Sequence, residues 1–404
     1  MTPTPSSPPR GRVAVLGGGP AGMAAALSAH QAGHEVVIFE RYREARPAGN
    51  VLNLWPPPLK ALKLIGVDTE DLGSPCLSEF RNNRGKVRAR VKVDPEIEKI
   101  YGRGGGFVGL LRPELYERML AALPSGMLRT DQNVDRIEQD DRAVTLHFAD
   151  GSTFEADVLI GADGINSLVR TTLWGDTPIR EHRLHAIAGF TFDVDFPVEA
   201  ELSVIGHSRR VQGSYTPIRY KGRDGWQWWV LEAVDPQATP PPDLLAHARA
   251  LAGEFISPLP ELAATTTPDN VQRWVLRDRG YLKQWSKGRI TLVGDAAHAT
   301  SPYAAYGAGM AIEDGYFVGR ALRGLDLTDQ NAVEATLLTY EAPRRKHTTF
   351  QVRLAYMNGQ MFHHTPRLLQ PVRDFVFDHT PFLQKVVGDT SPAEINRQLS
   401  LIND

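Results

Sequence analysis

The chain has 404 residues, of which 42% are hydrophobic and 23% charged, as in ordinary globular proteins. Its formal net charge is -2, from 45 basic and 47 acidic residues, so charge gives no reason to expect nucleic acid or an acidic membrane surface as a partner. A single cysteine, Cys76, excludes an intramolecular disulfide and a thiolate metal cluster. No stretch approaches the ~20 apolar residues of a membrane span. Residues 1–11 are rich in Pro, Ser and Thr and predict a flexible tail rather than a signal peptide, so we expect a soluble, cytoplasmic protein.

The first structured segment predicts a strand, a glycine turn, a helix and a second strand, in that order. The apolar run 12–16 leads into the turn Gly17–Gly22, which reads GGGPAG. Good helix formers follow over 23–32, and a second apolar run over 35–39 ends at Glu40. This is the order of elements in a unit that binds the ADP part of a dinucleotide.

Each residue type in this unit has a chemical reason. Gly19 lets a pyrophosphate approach the backbone, Gly22 lets the helix pack closely on the strands, and the helix N-terminus attracts the phosphates. Glu40 can accept both ribose hydroxyls of adenosine and would repel a 2'-phosphate, which argues against NADP but does not separate FAD from NAD. The predicted contacts to ADP come from Gly17, Gly19, Pro20, Ala21, Gly22, Glu40 and Arg41.

Two further glycine–aspartate turns favour FAD over NAD. Asp163 follows an apolar strand in the sequence GADG, where it is either a ligand-facing residue or a solvated turn residue. Asp295 follows a second strand in GDAAH and can accept hydrogen bonds from ribityl hydroxyls. Beyond it, Gly309 and Met310 begin a helix whose positive end can face the N1–C2 edge of a flavin.

These three motifs, in this order, resemble the class A FAD-dependent aromatic hydroxylases, the family of para-hydroxybenzoate hydroxylase, over roughly residues 12–345. The resemblance implies that Arg112 reaches the FAD phosphate or ribityl region and that Val134 contacts adenine through its backbone. Where the family often has an asparagine after the last glycine turn, this chain has Met310, so one side-chain contact to the flavin is missing. The remaining FAD contacts are expected from Asp163, Asp295, Pro302, Gly307, Ala308, Gly309 and Met310.

The predicted fold is α/β: a Rossmann-like FAD-binding domain with a mixed parallel sheet, a mostly antiparallel substrate domain, and C-terminal helices. The FAD-binding domain is expected to be discontinuous. The predicted boundaries are 12–78, 104–180 and 275–325 for the FAD-binding domain, 79–103 and 181–274 for the substrate lid, 326–404 for the helical segment, and 1–11 for the tail.

The predicted lid is rich in aromatic residues, most of which we expect to be ordinary packing. Tyr215 and His207 are the candidate polar contacts to a substrate, and thus the candidate catalytic residues. His298 is interpreted mainly as a residue that structures its loop, with a catalytic base as the alternative. His363 and His364 are interpreted as a solvated helix end. No metal site is predicted.

The resemblance implies a reaction cycle. NADH or NADPH reduces FAD, O2 adds at the flavin C4a atom, and the resulting peroxyflavin hydroxylates an aromatic carbon of a phenolic, heteroaromatic or polyketide-type substrate. The chain contains no second full dinucleotide fingerprint, which agrees with a family that lacks a separate NAD(P)H domain. A monomer and a homodimer are both compatible with the sequence, and secondary metabolism is the expected context.

Several alternatives remain at this point. An epoxidase or a Baeyer–Villiger monooxygenase would use the same fold. A flavin halogenase would need a Trp-x-Trp-x-Ile-Pro stretch, whereas the run from Trp226 to Val230 lacks the proline. A prenyl reductase and a non-catalytic FAD-binding or redox-sensing protein are the remaining alternatives.

Overall fold

The computed structural model describes residues 11–44, 51–102, 107–235 and 237–403. All of the predicted tail except Gly11 therefore lies outside the described residues. In chain order the strands are β1 (Arg12–Leu16), β2 (Glu35–Phe39), β3 (Val51–Leu54), β4 (Ser74–Pro75), β5 (Leu77–Asn82), β6 (Val87–Arg90), β7 (Val108–Leu111), β8 (Leu128–Arg129), β9 (Val134–Gln139), β10 (Val144–Phe148), β11 (Thr153–Ala156), β12 (Val158–Gly161), β13 (Ile179–Thr191), β14 (Leu202–His207), β15 (Val211–Tyr220), β16 (Arg223–Ala233), β17 (Val271–Arg279) and β18 (Ile290–Leu292).

Helices connect these strands and follow them. They are α1 (Pro20–Gln31), α2 (Pro56–Leu64), α3 (Pro95–Tyr101), α4 (Arg112–Ala122), α5 (Leu168–Trp174), α6 (Leu244–Ala252), α7 (Leu259–Thr265), α8 (Asp295–His298), α9 (Gly307–Ala321), α10 (Gln330–His363), α11 (Gln370–His379) and α12 (Ser391–Arg397). No helix among the described residues combines the length and the apolar character that crossing a bilayer requires.

A five-stranded parallel sheet forms the nucleotide-binding half, in the order β18-β12-β1-β2-β8. Its central strands are continuous apolar runs because both faces of the sheet are covered. The predicted α/β fold class, with this parallel sheet, a mostly antiparallel second sheet and C-terminal helices, is confirmed.

Helices α1 and α9 cross at close range beside this sheet. A Cβ atom on Gly315 would lie 2.5 Å from the backbone nitrogen of Ala25, and one on Gly319 would lie 2.4 Å from the Cβ of Ser28. Glycine is therefore required at both crossing points. A Cβ on Gly294, the turn after β18, would lie 2.8 Å from the Cβ of Ala21, which brings the β18 turn against the start of α1.

The large sheet has two different faces. Its main path is β17-β13-β16-β15-β14-β5-β6, antiparallel except where β14 pairs with β5. The outer face packs on α6 and α7 through a cluster that includes Trp228 and Leu262. The inner face contacts β3 through Gln227, whose side chain hydrogen bonds to both backbone polar groups of Leu52. The inner face is therefore the one that faces the nucleotide-binding half.

Three short strands from the predicted FAD-binding ranges, β3, β4 and β7, pair within this large sheet. A separate three-stranded sheet, β11-β10-β9, flanks the parallel sheet. The two halves thus share strands, and the domain boundaries given above stay predictions.

Candidate active site

The glycine turn after β1 combines two packing glycines with one open position. A Cβ on Gly17 would lie 2.4 Å from the carbonyl oxygen of Ala162, and one on Gly22 would lie 1.9 Å from the carbonyl oxygen of Gly17. Gly17 also has a φ of +110°, which favours glycine. A Cβ on Gly19 would meet nothing within 4 Å. Gly17 and Gly22 therefore serve the fold, whereas Gly19 leaves space in front of α1, which begins at Pro20 and Ala21.

Glu40 lies across this turn at the end of β2. Its Oε2 accepts a hydrogen bond from the backbone N–H of Gly18 at 2.8 Å, and its Oε1 accepts one from Tyr42 at 3.0 Å. The neighbouring Arg41 is exposed, with its guanidinium 4.8 Å from the ring centre of Tyr42. The N–H of Gln132 donates to the carbonyl of Glu40 at 2.9 Å, so the segment that leads to Val134 lies beside this carboxylate. This grouping has the layout that a ribose and an adenine need.

Asp295 and Arg112 lie close enough to interact electrostatically. Burial raises the pKa of Asp295, while His298 and Arg112 lower it. Burial lowers the pKa of Arg112, while Asp295 raises it. The side chain of Asp295 is accessible to solvent, but protein atoms surround it closely enough to raise its pKa. A deep carboxylate that is open to a cleft fits the hydroxyls of a ribityl chain, and Arg112 fits an adjacent phosphate.

Asp163 is positioned differently from the expectation for a ligand-facing side chain. Its Oδ1 accepts a hydrogen bond from the hydroxyl of Ser167 at 2.6 Å, and its Oδ2 accepts one from the N–H of Leu168 at 2.6 Å. The carboxylate therefore caps the start of α5. Burial raises the pKa of Asp163, whereas these hydrogen bonds lower it by a smaller amount. A contact between Asp163 and FAD stays a prediction. Both carboxylate oxygens of Asp163 already accept hydrogen bonds from the first residues of α5 or its N-cap.

The loop after α8 leads to the start of α9. Pro302 is exposed at the first position of a short turn, and α9 begins with Gly307, Ala308 and Gly309. Met310 is fully buried, so its side chain packs in the interior rather than facing the cleft. The first N–H groups of α9 carry partial positive charge, which suits the electron-rich edge of a reduced flavin.

A buried ionic network lies beneath this loop. Nε2 of His298 is 2.5 Å from Oδ2 of Asp314, and Nε of Arg344 donates to Oδ1 of the same carboxylate at 2.8 Å. Arg344 also donates to Glu313 at 2.8 Å, and Tyr306 donates to that second carboxylate. Burial would raise the pKa of Asp314, but His298 and Arg344 lower it to about 2. His298 thus structures the loop, as its position in the sequence led us to expect.

Sequence reasoning missed Glu313, Asp314 and Arg344. A signal was available for the acids, because two adjacent carboxylates inside an otherwise apolar helix require buried partners. Nothing local pointed to Arg344, which reaches the network from α10.

The inner face of the large sheet lies beside the loop, where a substrate chamber is expected. Ser203, Ser214 and Thr216 are at most 1% exposed there. Ser203 and Thr216 share a hydrogen bond of 2.6 Å, and Oγ of Ser214 accepts a hydrogen bond from Gln212 at 3.1 Å. Trp229 lies opposite Ser214 in the β15–β16 register and packs near Tyr303 of the loop. The sequence did not single out any of these polar residues.

The two predicted substrate contacts lie on opposite faces. Tyr215 belongs to the outer face, packs 5.9 Å from Trp226 and contributes to the cluster under α6 and α7. His207 belongs to the inner face, where its ring stacks on Phe362 at 3.7 Å. Among the described residues, neither ring nitrogen of His207 has a hydrogen-bond partner. Burial lowers the pKa of His207 well below its usual value, so this ring is neutral. Both assignments stay predictions, and the geometry favours His207.

His363 is buried, which corrects the expectation of a solvated helix end. Its Nδ1 is 3.0 Å from the carbonyl oxygen of Arg210, so Nδ1 carries the proton. Nε2 then accepts a hydrogen bond from the hydroxyl of Tyr303. Burial raises the pKa of Tyr303 well above its usual value and lowers that of His363 to about 4, so both groups are neutral near pH 7.

Three other side chains converge on the outer face of the lid. Nε2 of His185 and Nε2 of His247 lie 2.8 and 2.5 Å from the same oxygen of Glu232. Arg273 donates to Nδ1 of His185 at 3.0 Å, which leaves the proton on Nε2. This group is therefore arranged as a hydrogen-bonded cluster that fastens α6 to the sheet rather than as a set of metal ligands.

This arrangement, a β-sheet lid over a nucleotide-binding parallel sheet, is that of a flavin-dependent oxidoreductase. A protein-family model described as an FAD binding domain matches residues 10–355. The chain belongs to this family, and its relatives place it among the FAD-dependent aromatic hydroxylases, as its motifs led us to expect.

Two curated relatives illustrate the similarity. The 3-amino-4-hydroxybenzoate 2-monooxygenase PtnB3 of Streptomyces platensis is 31% identical over 373 residues, which cover 90% of this chain and 92% of the relative. The 6-hydroxynicotinate 3-monooxygenase of Bordetella bronchiseptica is 30% identical over 361 residues, which cover 86% of this chain and 91% of the relative. These similarities confirm that the chain is an FAD-dependent monooxygenase of aromatic compounds.

Solved structures share the fold. Klebsiella pneumoniae HpxO complexed with FAD and uric acid aligns with a TM-score of 0.81 at 22% identity, over 97% of this chain and 96% of that one. A salicylate hydroxylase substrate complex aligns with a TM-score of 0.72 at 21% identity, over 96% and 98% of the two chains.

Proposed function

We propose that the protein hydroxylates an uncharged aromatic substrate that carries a hydroxyl or amino group, with NADH or NADPH as the reductant. Bound FAD, once reduced by NADH or NADPH, would activate O2, of which one atom enters the substrate and the other leaves as water. The observation that carries the proposal is the chemical character of the inner face of the lid. At the centre of β13–β16 this face presents Ala186, Ala188, Ser203, Ile205, His207, Gln212, Ser214, Thr216, Gln227, Trp229 and Leu231, none with a permanent charge.

A carboxylate in such a chamber would be costly. A buried anion needs a cationic partner or several hydrogen-bond donors, whereas the sheet residues of this face are neutral. Arg88 and Arg373 act electrostatically on His207, but they already bind Asp378 and Asp374, each at 2.7 Å. The names of the two relatives above describe carboxylated substrates. The chain is therefore proposed to act on a different class of aromatic compound from these relatives.

Ser214 is the residue proposed to orient the substrate. Its oxygen accepts a hydrogen bond from Gln212, so its own proton is available for an oxygen or nitrogen atom of the substrate. Trp229, directly opposite Ser214 in the sheet, offers a flat apolar surface for a planar ring.

Tyr303 is proposed to polarise the substrate. Because its hydroxyl donates to His363, its oxygen lone pairs remain available to accept a hydrogen bond from a substrate hydroxyl. Such a bond would raise the electron density of the ring, which is what electrophilic oxygen transfer requires. The stacked rings of His207 and Phe362 help to keep water out of the chamber.

Matched pairs of ligands test the proposal. We expect phenol to bind the holoenzyme more tightly than salicylate, and a hydroxypyridine more tightly than 6-hydroxynicotinate, each by about tenfold or more. The shift of the flavin absorbance reports binding, and substrate-stimulated NAD(P)H oxidation reports turnover. Tighter binding and faster turnover of the carboxylated members would contradict the proposal.

A pair of neighbouring variants on β15 provides the control. Ser214→Ala removes a proposed donor from the chamber and should raise KM by about three- to tenfold. Tyr215→Phe removes a hydroxyl from the outer face and should leave KM unchanged. A raised KM for Tyr215→Phe would instead support Tyr215 as the substrate contact. Equal effects of the two substitutions would exclude Ser214 as a substrate contact.

A further inference from the structure

A second cleft lies between α10 and the connection from β17 to β18. It encloses about 570 Å³. Arginine or lysine occurs at five of its lining positions, and neither aspartate nor glutamate lines it: the cations are Arg180, Arg279, Arg345, Lys346 and Arg353. A cleft with one sign of charge concentrates ions of the opposite sign.

Two buried guanidinium groups beneath this cleft lack a carboxylate partner among the described residues. Arg170 and Arg279 are 1% and 6% exposed, and both donate to the hydroxyl oxygen of Thr177, at 2.9 and 2.8 Å. Arg170 also donates hydrogen bonds to backbone carbonyl oxygens, such as that of Gly280 at 2.9 Å. Nε of Arg279 is buried without an acceptor in the described part of the chain.

This arrangement is electrostatically incomplete. Burial and the proximity of Arg279 lower the pKa of Arg170 to about 10. Two buried like charges that share a neutral oxygen are unfavourable unless an anion lies nearby. An anion that entered the cleft would meet Arg279 directly, since this residue lines the cleft.

The mouth of the cleft adds two exposed cations from a single face of α10. Lys346 and Arg353 are seven residues apart, about two helical turns, and neither forms an ion pair within the described ranges. Arg180 differs, because Asp278 binds it at 2.6 and 2.8 Å. Arg345 has Glu341 at 3.5 Å. The uncompensated charge therefore belongs to Arg279, Lys346 and Arg353.

We propose that this cleft is an anion site for a phosphate-bearing ligand, with Arg279 at its floor and Lys346 and Arg353 at its mouth. Its volume suits a group of nucleotide size. His298 and Ala297 of α8 line one wall, and α8 begins at Asp295 of the flavin cleft, so the two clefts are neighbours. In the proposed reaction, the phosphate-bearing ligand available to the cleft is NADH or NADPH, through its pyrophosphate. This assignment of the ligand rests on the proposed function. Free phosphate or pyrophosphate offers the same chemistry.

Inorganic pyrophosphate is the probe, used with the FAD-loaded protein. Its binding is measured by calorimetry, and its competition with NADH and NADPH by anaerobic stopped-flow reduction of the flavin. In the double variant Lys346→Gln/Arg353→Gln we expect Kd for pyrophosphate and for the reductant to rise about tenfold or more, because each lost charge weakens an anion contact. The limiting rate of reduction and the flavin content should stay at wild-type values. Arg142→Gln, an exposed charge at the β9–β10 turn, is the control.

The outcomes are distinguishable. If pyrophosphate competes with NADH or NADPH, and the double variant weakens this competition, the site is supported and the reductant is its ligand. Binding that the double variant weakens, without competition, supports the anion site and assigns a free phosphate ligand. Absence of pyrophosphate binding, or binding equal in wild type and double variant, overturns the proposal. Because calorimetry needs no turnover, this result is independent of whether a neutral aromatic substrate is hydroxylated.

Discussion

Gly18 donates its backbone N–H to the carboxylate of Glu40 at 2.8 Å, although the two residues are 22 positions apart in the chain. This hydrogen bond joins the turn after β1 to the end of β2. It fixes the carboxylate beside the open position at Gly19, where a ribose would reach it.

Glu40→Ala should weaken FAD binding, because a ribose then loses a charged acceptor and the turn loses its cross-link. We expect Kd for FAD to rise about tenfold to a hundredfold. Titration of the apoprotein with FAD, followed by fluorescence, measures it. Glu35→Ala, at the exposed opposite end of the same strand, should behave as wild type. If Glu40→Ala retained FAD equally well, the ribose assignment would be wrong.

Gly19→Ala should impair FAD binding, whereas Gly22→Ala should impair the stability of the fold. A methyl group on Gly19 meets open space, so the apoprotein should fold with its normal thermal stability while FAD binds at least about tenfold more weakly. A methyl group on Gly22 would collide with the carbonyl of Gly17, so this variant should lose several kcal/mol of stability, on the order of 3 or more. Circular dichroism melting curves with and without FAD separate the two effects. Normal FAD binding by Gly19→Ala would contradict the assignment of the cleft.

The protonation of Glu313 should cause the free energy of unfolding to decrease as pH rises. Burial raises its pKa from 4.5 to about 7, against the effect of Arg344. Between these values the unfolded chain loses a proton that the folded chain keeps, so the free energy of unfolding decreases with increasing pH. Glu313→Gln should flatten this part of the pH profile, measured by denaturant unfolding from pH 4.5 to 7.5, whatever its absolute stability. Glu117→Gln, at an exposed carboxylate, should keep the wild-type slope. An unchanged slope for Glu313→Gln would show that this group does not titrate in that range.

The nucleotide-binding half could be predicted because the residues that define it are close together in the sequence. The strand, the glycine turn, the helix and the acid at Glu40 lie within thirty residues of one another, and each has a single physical reason for its position. Asp295 was found in the same way, as a polar residue at the end of an apolar strand.

The lid was predictable as a sheet but not in its orientation. Alternation along β15 shows that Ser214 and Tyr215 point to opposite faces, yet only the packed structure shows which face lines the chamber. Tyr215, which the sequence favours for its hydroxyl, lies under α6 and α7. Arg344, Phe362 and His363 reach the site from the long helix α10, and nothing in their local sequence indicates that contact.

Hydroxylation of an uncharged aromatic compound is tested most directly by supplying the FAD-loaded protein with NAD(P)H, isotopically labelled O2 and a panel of uncharged phenols and hydroxypyridines. We expect at least one of these compounds to accelerate NAD(P)H oxidation and to yield a hydroxylated product in which one labelled oxygen atom comes from O2. NAD(P)H oxidation that no aromatic compound accelerates, with hydrogen peroxide as the only oxygen product across neutral and carboxylated compounds alike, would contradict it.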